Sequence, residues 1–354
     1  LDLVALGTVC DVVPLHGLNR AFVVQGLAVL ARGANAGLAA LSKVARIDTK
    51  PSAFHLGFLL GPRVNAGGRV GQADLGTRLL STEDADEAAA LALRLDEFNA
   101  ARKEIEAAVL QEAIEQVETK ANPDDAVLIA AGADWHPGVI GIVAGRLRER
   151  YRKPVIVVGV DRPGNIGKGS GRSQPGVNLG RAVQAAYEAG LLLAGGGHAM
   201  AAGLSVRPDT IPELRDFLCA QMAEEAREAA EADALDIDAL VTTAGADRAL
   251  YEDFQRLAPF GPGNVEPLFA LADVRVERAM ALRGGHVRVT LTDRSGGKLK
   301  AVAWRAEDTE IGRRLLAEGG GLHVAGRLKP DDWQGRRAVE LEIEDVADLR
   351  RQIS

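Results

Sequence analysis

The sequence runs to 354 residues, 47% hydrophobic and 26% charged, with a formal net charge of −7. That balance excludes a disordered chain and leaves material for two or three cores. No apolar stretch approaches the roughly 20 residues of a membrane-spanning helix, and the acidic total excludes indiscriminate coating of DNA.

The charge is uneven, however. Residues 208–253 hold 3 basic and 13 acidic groups, whereas residues 268–354 hold 16 and 14. Salt screens surface fields within about 10 Å, so a local nucleic-acid groove stays compatible with the total. Cys10 and Cys219 stand far apart, one in a strand-like run and one in a helical one, which argues against a disulfide framework and for a reducing compartment.

The first element in chain order is the apolar run LDLVALGTVCD, Leu1 to Asp11. It reads as a buried strand with Asp11 at its carboxyl end, where open α/β sheets bind ligands. The run has no polar lead-in, so the chain reads as the carboxyl-terminal part of a longer protein. Residues 1–80 mix short apolar runs with Gly-rich turns in an α/β pattern. Within them GPRVNAGGR, Gly61 to Arg69, reads as too glycine-rich for a helix. Arg63 and Arg69 there can offer guanidinium forks and bare backbone N–H groups to one anion. A surface loop with solvated arginines is the other reading.

Ser81 to Ala121 contains neither Gly nor Pro. Ser81 with Asp84 resembles a capping box, and Leu91, Leu95, Phe98, Ile105 and Val109 form one apolar stripe at helical spacing. A continuous helix of about 36 residues is a rod of about 54 Å, long enough to join domains.

From Asn122 the pattern is strand (126–130), helix (137–151), strand (154–160), glycine-rich strand (168–173), helix (178–189), strand (203–206) and helix (211–230), a second α/β unit. In WHPGVIGIVAGRL, Trp135 to Leu147, Pro137 opens a helix whose free N–H groups make a phosphate seat with His136 at its lip. His136 can instead cap that helix, or pair with Asp134 on a metal. In GKGSGRS, Gly167 to Ser173, alternation puts Lys168, Ser170 and Arg172 on one face, a ridge able to grip a sugar–phosphate backbone. In AGGGHAMAAG, Ala194 to Gly203, bare glycine amides precede His198, which is a phosphate contact or a core histidine.

After an acidic helix and APFGPGNVEP, Ala258 to Pro267, alternating strands near 269–282, 286–292, 298–304, 322–328 and 337–346 predict a five-stranded β-barrel of the OB type, with a turn at Gln334-Gly335. Trp304, Trp333, Phe269 and His286 are available to stack on bases. Arg288, Lys298, Lys300, Arg305, Arg327, Lys329, Arg336 and Arg337 can line a groove. A core Phe269 and an ordinary charged barrel surface are the alternative.

Together with TVCDVVPL, Thr8 to Leu15, these motifs resemble the later blocks of the DHH phosphoesterase superfamily, most closely the RecJ family of single-stranded-DNA-specific exonucleases. The resemblance covers nearly the whole chain. It implies an α/β protein: the end of a DHH catalytic domain (1–80), a connecting helix with Asn99 and Arg102 (81–121), an α/β DHH-associated domain (122–232), and a linker with an OB-fold (233–354). It implies that Asp11 is the last ligand of a two-metal Mn2+ or Mg2+ centre, with Arg63 and His136 beside it in catalysis and the cleft between the DHH and associated domains. The family's phosphate-binding blocks map onto Arg63, Asn65 and Arg69; His136 and Gly138; Ser170, Arg172 and Ser173; and Gly196, Gly197 and His198. The OB candidates are Trp304, Trp333 and Arg336. The implied activity is 5′ to 3′ digestion of single-stranded DNA in repair and recombination, in the cytoplasm. Single-stranded-DNA-binding protein and a RecQ-type helicase are the implied partners, with no membrane.

The family's Asp-x-Asp block and Asp-His-His triplet do not occur in the sequence, and Asp2, Asp48 and Asp74 read as caps or solvated turns. The chain by itself is therefore expected to hold a single strand without cutting it. A non-catalytic single-strand-binding module is one alternative function. Another DHH phosphoesterase, such as an oligoribonuclease, is a second, against which the OB-like segment weighs.

Overall fold

The computed structural model describes residues 1–122, 124–232, 234–331 and 337–349. Packing divides it into two compact units, Leu3–Leu27 with the residues from Leu235 onward, and Ala28–Ala234. The chain opens with α1 (Asp2–Cys10) and α2 (Gly17–Leu30). The first run is thus helix, not the expected strand. Ala5 and Leu6 are buried while Leu3 and Val4 are exposed, a grouping of helical period that an unbroken apolar run conceals.

The second unit begins with α3 (Ala36–Val44), then a π-helical turn that runs into α4 (Gly61–Val70), α5 (Leu75–Ser81) and α6 (Ala85–Lys120). GPRVNAGGR is therefore helical despite about 1 kcal/mol of propensity cost per glycine. A Cβ on Gly67 would collide with the carbonyl of Gln72 and press on Leu95 of α6, so close helix packing requires the glycine. Asp84 is itself the cap of α6, its carboxylate accepting from the N–H groups of Asp86 (2.8 Å) and Glu87 (3.0 Å), in place of the expected Ser81–Asp84 box.

The helices lead into β1 (Leu128–Ala133), α7 (Pro137–Tyr151), β2 (Val155–Asp161), β3 (Ile166–Arg172), α8 (Leu179–Glu188), β4 (Ala194–His198), β5 (Ala201–Val206) and α9 (Ile211–Glu231). Among the described residues the strands form one sheet in the order β1-β2-β3-β5-β4. The pair β1–β2 is parallel, with α7 as its crossover, and the other pairs are antiparallel. One face packs Ile156, Val158 and Leu204 against Leu179, Val183, Leu214 and Leu218 of α8 and α9. On the other face Val139, Val143 and Leu147 of α7 cover Leu128, Ala130, Val155 and Val157 of β1 and β2.

In the first unit, β6 (Ala239–Leu240) and α10 (Arg248–Phe254) precede β7 (Phe269–Leu282), β8 (His286–Thr292), β9 (Lys298–Ala303), α11 (Glu310–Leu316), β10 (Gly319–Asp331) and β11 (Ala338–Asp348). Pairing runs β7-β8-β9-β11-β10 and returns from β10 to β7, closing a five-stranded barrel among the described residues. Closure removes the exposed edges that an open sheet leaves. Phe269 sits in the barrel core, so it is not a base-stacking residue. The amino-terminal helices join this unit through Arg20, which donates to the carbonyls of Leu257 and Ala258, each at 2.9 Å.

Asp293, beyond β8, ties the barrel to the strap before α10. It accepts from the backbone and hydroxyl of Thr243, each at 2.8 Å, and from Ser295. Desolvation raises the Asp293 carboxyl, but hydrogen bonds from Ser295 and Thr243 outweigh it and bring it from 3.8 down to about 2. A carboxylate depressed in the folded state stabilises above its unfolded pKa and loses that contribution as pH falls toward the folded value. Asp293→Asn is expected to lower barrel stability at pH 7 by about 1–2 kcal/mol. It should also flatten the fall in the urea midpoint between about pH 4 and pH 2.

Candidate nucleic-acid interface

Pairing aligns the second unit's polar residues in rows. Arg172, Ala201 and His198 are neighbours across β3, β5 and β4; so are Ser170, Gly203 and Gly196; so are Lys168, Ser205 and Ala194. Paired residues share a face, so Lys168, Ser170, Arg172 and His198 stand on one side of the sheet. It is the side on which α7 covers only the first strands. A groove of about 520 Å³ lies there, lined by Pro137 and Ile140 of α7 and by Lys168, Ser170, Gly203 and Ser205.

Glycines do two different jobs on this shelf. A Cβ at Gly196 or Gly203 would meet nothing within 4 Å, so packing does not demand the bare backbone there. At Gly197 it would collide with Ala201 and Ala202, and at Gly138 with the carbonyl oxygen of Arg69, so those two are structural. Gly141 lets the Arg172 guanidinium lie along α7: its Cβ position is 3.1 Å from Nη2 of Arg172 and 3.0 Å from Oγ of Ser170.

Arg172 donates from Nη1 to Ser170 Oγ (3.1 Å) and to the Gly171 carbonyl (2.8 Å). Burial, and then the charge of Arg69, pull its pKa below the usual arginine value. Arg69, exposed at the end of α4, donates to the Gly138 carbonyl at 3.0 Å and so meets the first turn of α7. Asn65 lies one turn earlier on α4 and is also exposed.

Other predicted residues are occupied elsewhere. Arg63 donates from Nε to Asp96 and from Nη1 to the Leu59 carbonyl, both at 2.8 Å, with its side chain only 13% exposed. It pins α4 to α6. His136 is the cap of α7, its Nδ1 accepting from the Gly138 N–H at 3.0 Å, while its carbonyl accepts from Val139. Two of the amides expected to seat phosphate are thereby satisfied internally. Trp135 is buried, and its indole N–H donates to Glu112 at 2.8 Å. Ser173 is buried, with its hydroxyl donating to the Val177 carbonyl at 2.8 Å.

On the barrel, Trp304 is 52% exposed and stands edge-on to His286, ring centroids 4.8 Å apart. His286 Nδ1 accepts from the backbone of Arg305 at 2.8 Å, which holds the pair in place. Several expected groove cations face carboxylates instead: Lys298 with Glu277, Lys300 with Asp331, Arg327 with Glu344 and Lys329 with Glu266. Trp333 and Arg336 lie outside the described residues.

Asp11 belongs to the first unit, at the carboxyl end of α1, exposed and with its N–H on the Gly7 carbonyl at 2.9 Å. No group of three or more His, Cys, Asp or Glu able to hold a metal occurs among the described residues. Hard divalent cations take about six oxygen-rich ligands, so the residues present do not fit a two-metal centre.

Sequence reasoning missed Glu106 and Arg146. Glu106 is 3% exposed and bonds both Arg102 and Arg146. The readable sign was a break in the α6 stripe: Asn99, Arg102 and Glu106 occupy buried positions between Leu95 and Val109, where apolar residues belong.

The matching family models are the DHHA1 domain over residues 124–224 and the RecJ OB domain over residues 237–345. A Bacillus subtilis single-stranded-DNA-specific exonuclease RecJ is 33% identical over 353 residues, covering 98% of this chain and 44% of that one. Crystal structures of RecJ from Thermus thermophilus, in complex with Mn2+ and with Mg2+, superpose with a TM-score of 0.80 at 32% and 31% identity. Each covers 98% of this chain, and the chain covers 49% and 52% of them. It thus spans about half the length of the relatives it matches.

The two kinds of glycine predict opposite outcomes. Gly138→Ala is expected to cost about 1–3 kcal/mol of stability in denaturant unfolding, because α4 and α7 must separate. Gly196→Ala should stay within about 0.5 kcal/mol of the parent.

A DHHA1 domain followed by a RecJ OB domain, and a fold shared with RecJ structures over 98% of its length, make this a RecJ-like chain that matches about half the length of those proteins.

Proposed function

We propose that this chain is the strand-holding part of a single-stranded-DNA exonuclease that works 5′ to 3′ in DNA repair and recombination. Hydrolysis of the phosphodiester would depend on Mn2+ or Mg2+, the ions in the solved Thermus relatives. The observation that carries the reading is the shelf: Lys168, Ser170, Arg172 and His198 on one sheet face, with Arg69 near Arg172 and the bare Gly196–Gly203 pair between the outer strands.

Guanidinium groups and hydroxyls grip phosphate oxygens without reading bases, and side-chain-free backbone lets a sugar–phosphate chain approach closely. The shelf holds and orients a strand in this way. The Trp304–His286 pair on the barrel offers a ring face and edge to bases, a contact that tolerates any sequence. Arg63 and His136 shape the region indirectly, Arg63 through Asp96 and His136 through the α7 cap. Single-stranded-DNA-binding protein and a RecQ-type helicase are the proposed partners, and the cytoplasm the proposed compartment.

The lack of a metal-holding cluster among the described residues favours one further reading, that this chain alone binds single strands without cleaving them. With Mn2+ and a 5′-phosphorylated oligonucleotide it should release no mononucleotide by chromatography; steady release would overturn that reading.

Binding to oligo-dT, followed by fluorescence anisotropy across a salt series, tests the shelf. Arg172→Ala should weaken affinity about tenfold and reduce the salt slope by about 0.7, the share of one phosphate on a single strand. Gly203→Val fills the groove without changing charge, so it should weaken binding while leaving the slope near that of the parent. Parent-like affinity in both variants would remove the shelf from the binding path.

A further inference from the structure

Glu106 lies on α6 with its side chain 4% exposed, yet it carries no apolar neighbour's role. Its Oε2 accepts from Arg102 Nη1, and its Oε1 forms an ion pair with Arg146 Nε of α7, both at 2.5 Å. Arg102 is itself 8% exposed: its Nη2 donates to Asn99 Oδ1 at 2.9 Å, and its Nε has no partner. Arg146, by contrast, is 48% exposed. One carboxylate therefore serves two arginines from two helices, and the outer arginine faces solvent.

The electrostatic neighbours extend this cluster to the shelf. Burial lowers the Arg102 pKa, Glu106 opposes the fall, and the charges of Arg69 and Arg146 deepen it. Arg69 is also the charge that lowers Arg172. Arg69 of α4 thus acts on both Arg172 of β3 and Arg102 of α6, and Arg146 lies on α7, the helix that lines the groove through Pro137 and Ile140. Only two of the four, Arg102 and Arg146, bond to Glu106.

We infer that Arg146 is a phosphate-contacting residue that extends the strand path beyond the β3 shelf, and that Glu106 is the positioning residue holding it there. This rests on the strand-binding reading above. The geometry gives Glu106 a role opposite to its charge. A carboxylate merely lying near a polyanion weakens its binding, and removing it strengthens binding. A carboxylate that fixes a guanidinium's direction does the reverse, because an arginine freed from its ion pair loses the preorganised fork that grips phosphate.

The experiment uses the whole chain and oligo-dT in a salt series, with Glu106→Gln, Arg146→Gln and the double variant. Positioning predicts that Glu106→Gln binds about 5- to 20-fold more weakly at moderate salt, with the salt slope reduced by about 0.7. Arg146→Gln should show the same slope change, and the double variant should lose no more than either single one, since both report a single contact. Tighter binding by Glu106→Gln, or a parent-like slope in Arg146→Gln, overturns the inference. Should Glu106→Gln fail to fold by circular dichroism, Arg146→Gln still decides, because that side chain is half exposed and its slope reads the contact directly. A parent chain with no salt-dependent binding would instead sink the strand-binding reading itself, whereas parent binding with unchanged variants sinks only the role of Glu106 and Arg146.

Discussion

Like charges crowded in a poorly solvated place set the terms for the second unit. Arg69 acts on both Arg102 and Arg172, and Arg146 acts on Arg102, in surroundings that already disfavour charge. Glu106 offsets part of this for Arg102 and Arg146. Arg172, held by Ser170 and a backbone carbonyl, and Arg69, on the Gly138 carbonyl, have neutral acceptors instead. A polyanion laid along them supplies the missing counter-charge. That need for counter-charge is what the proposed strand path would meet.

The barrel of the first unit follows another logic. Several of its lysines and arginines face carboxylates, an arrangement that stabilises and solubilises a small barrel but leaves less charge for phosphate. What it does present is the exposed Trp304, braced by His286. In the proposed reading, phosphate gripping and base stacking are therefore divided between the units by chemistry. That division suits binding without sequence preference, because phosphate and π-face are common to every nucleotide.

Much of this was legible in the sequence where one physical signal dominated. Pro137 after His136 fixed the start of α7 to the residue, and an absence of Gly and Pro marked α6. Strict alternation gave the barrel strands and put Lys168, Ser170 and Arg172 on one face. Reading failed where tertiary contact overrode local preference. Leu1–Asp11 was an apolar run with no visible period, and only the burial of Ala5 and Leu6 resolves it as helix. The glycines of α4 looked like helix breakers, whereas Gly67 is the residue that lets α4 approach α6. The triple glycine was assigned no strand but forms β4, because pairing with β5 supplies hydrogen bonds that propensity does not foresee. Arg63 and His136 carried motif weight, yet their partners, Asp96 and the Gly138 amide, assign them to holding helices in place.

The same accounting separates holding a strand from cutting it. Phosphate binding needs donors, and the second unit places guanidinium groups, a lysine and a hydroxyl on one sheet face. Metal-assisted hydrolysis needs the reverse, several carboxylate oxygens converging on cations that take about six ligands. Asp11 ends a helix, exposed, with no companion cluster among the described residues. The described residues supply donors for the first task and no carboxylate cluster for the second.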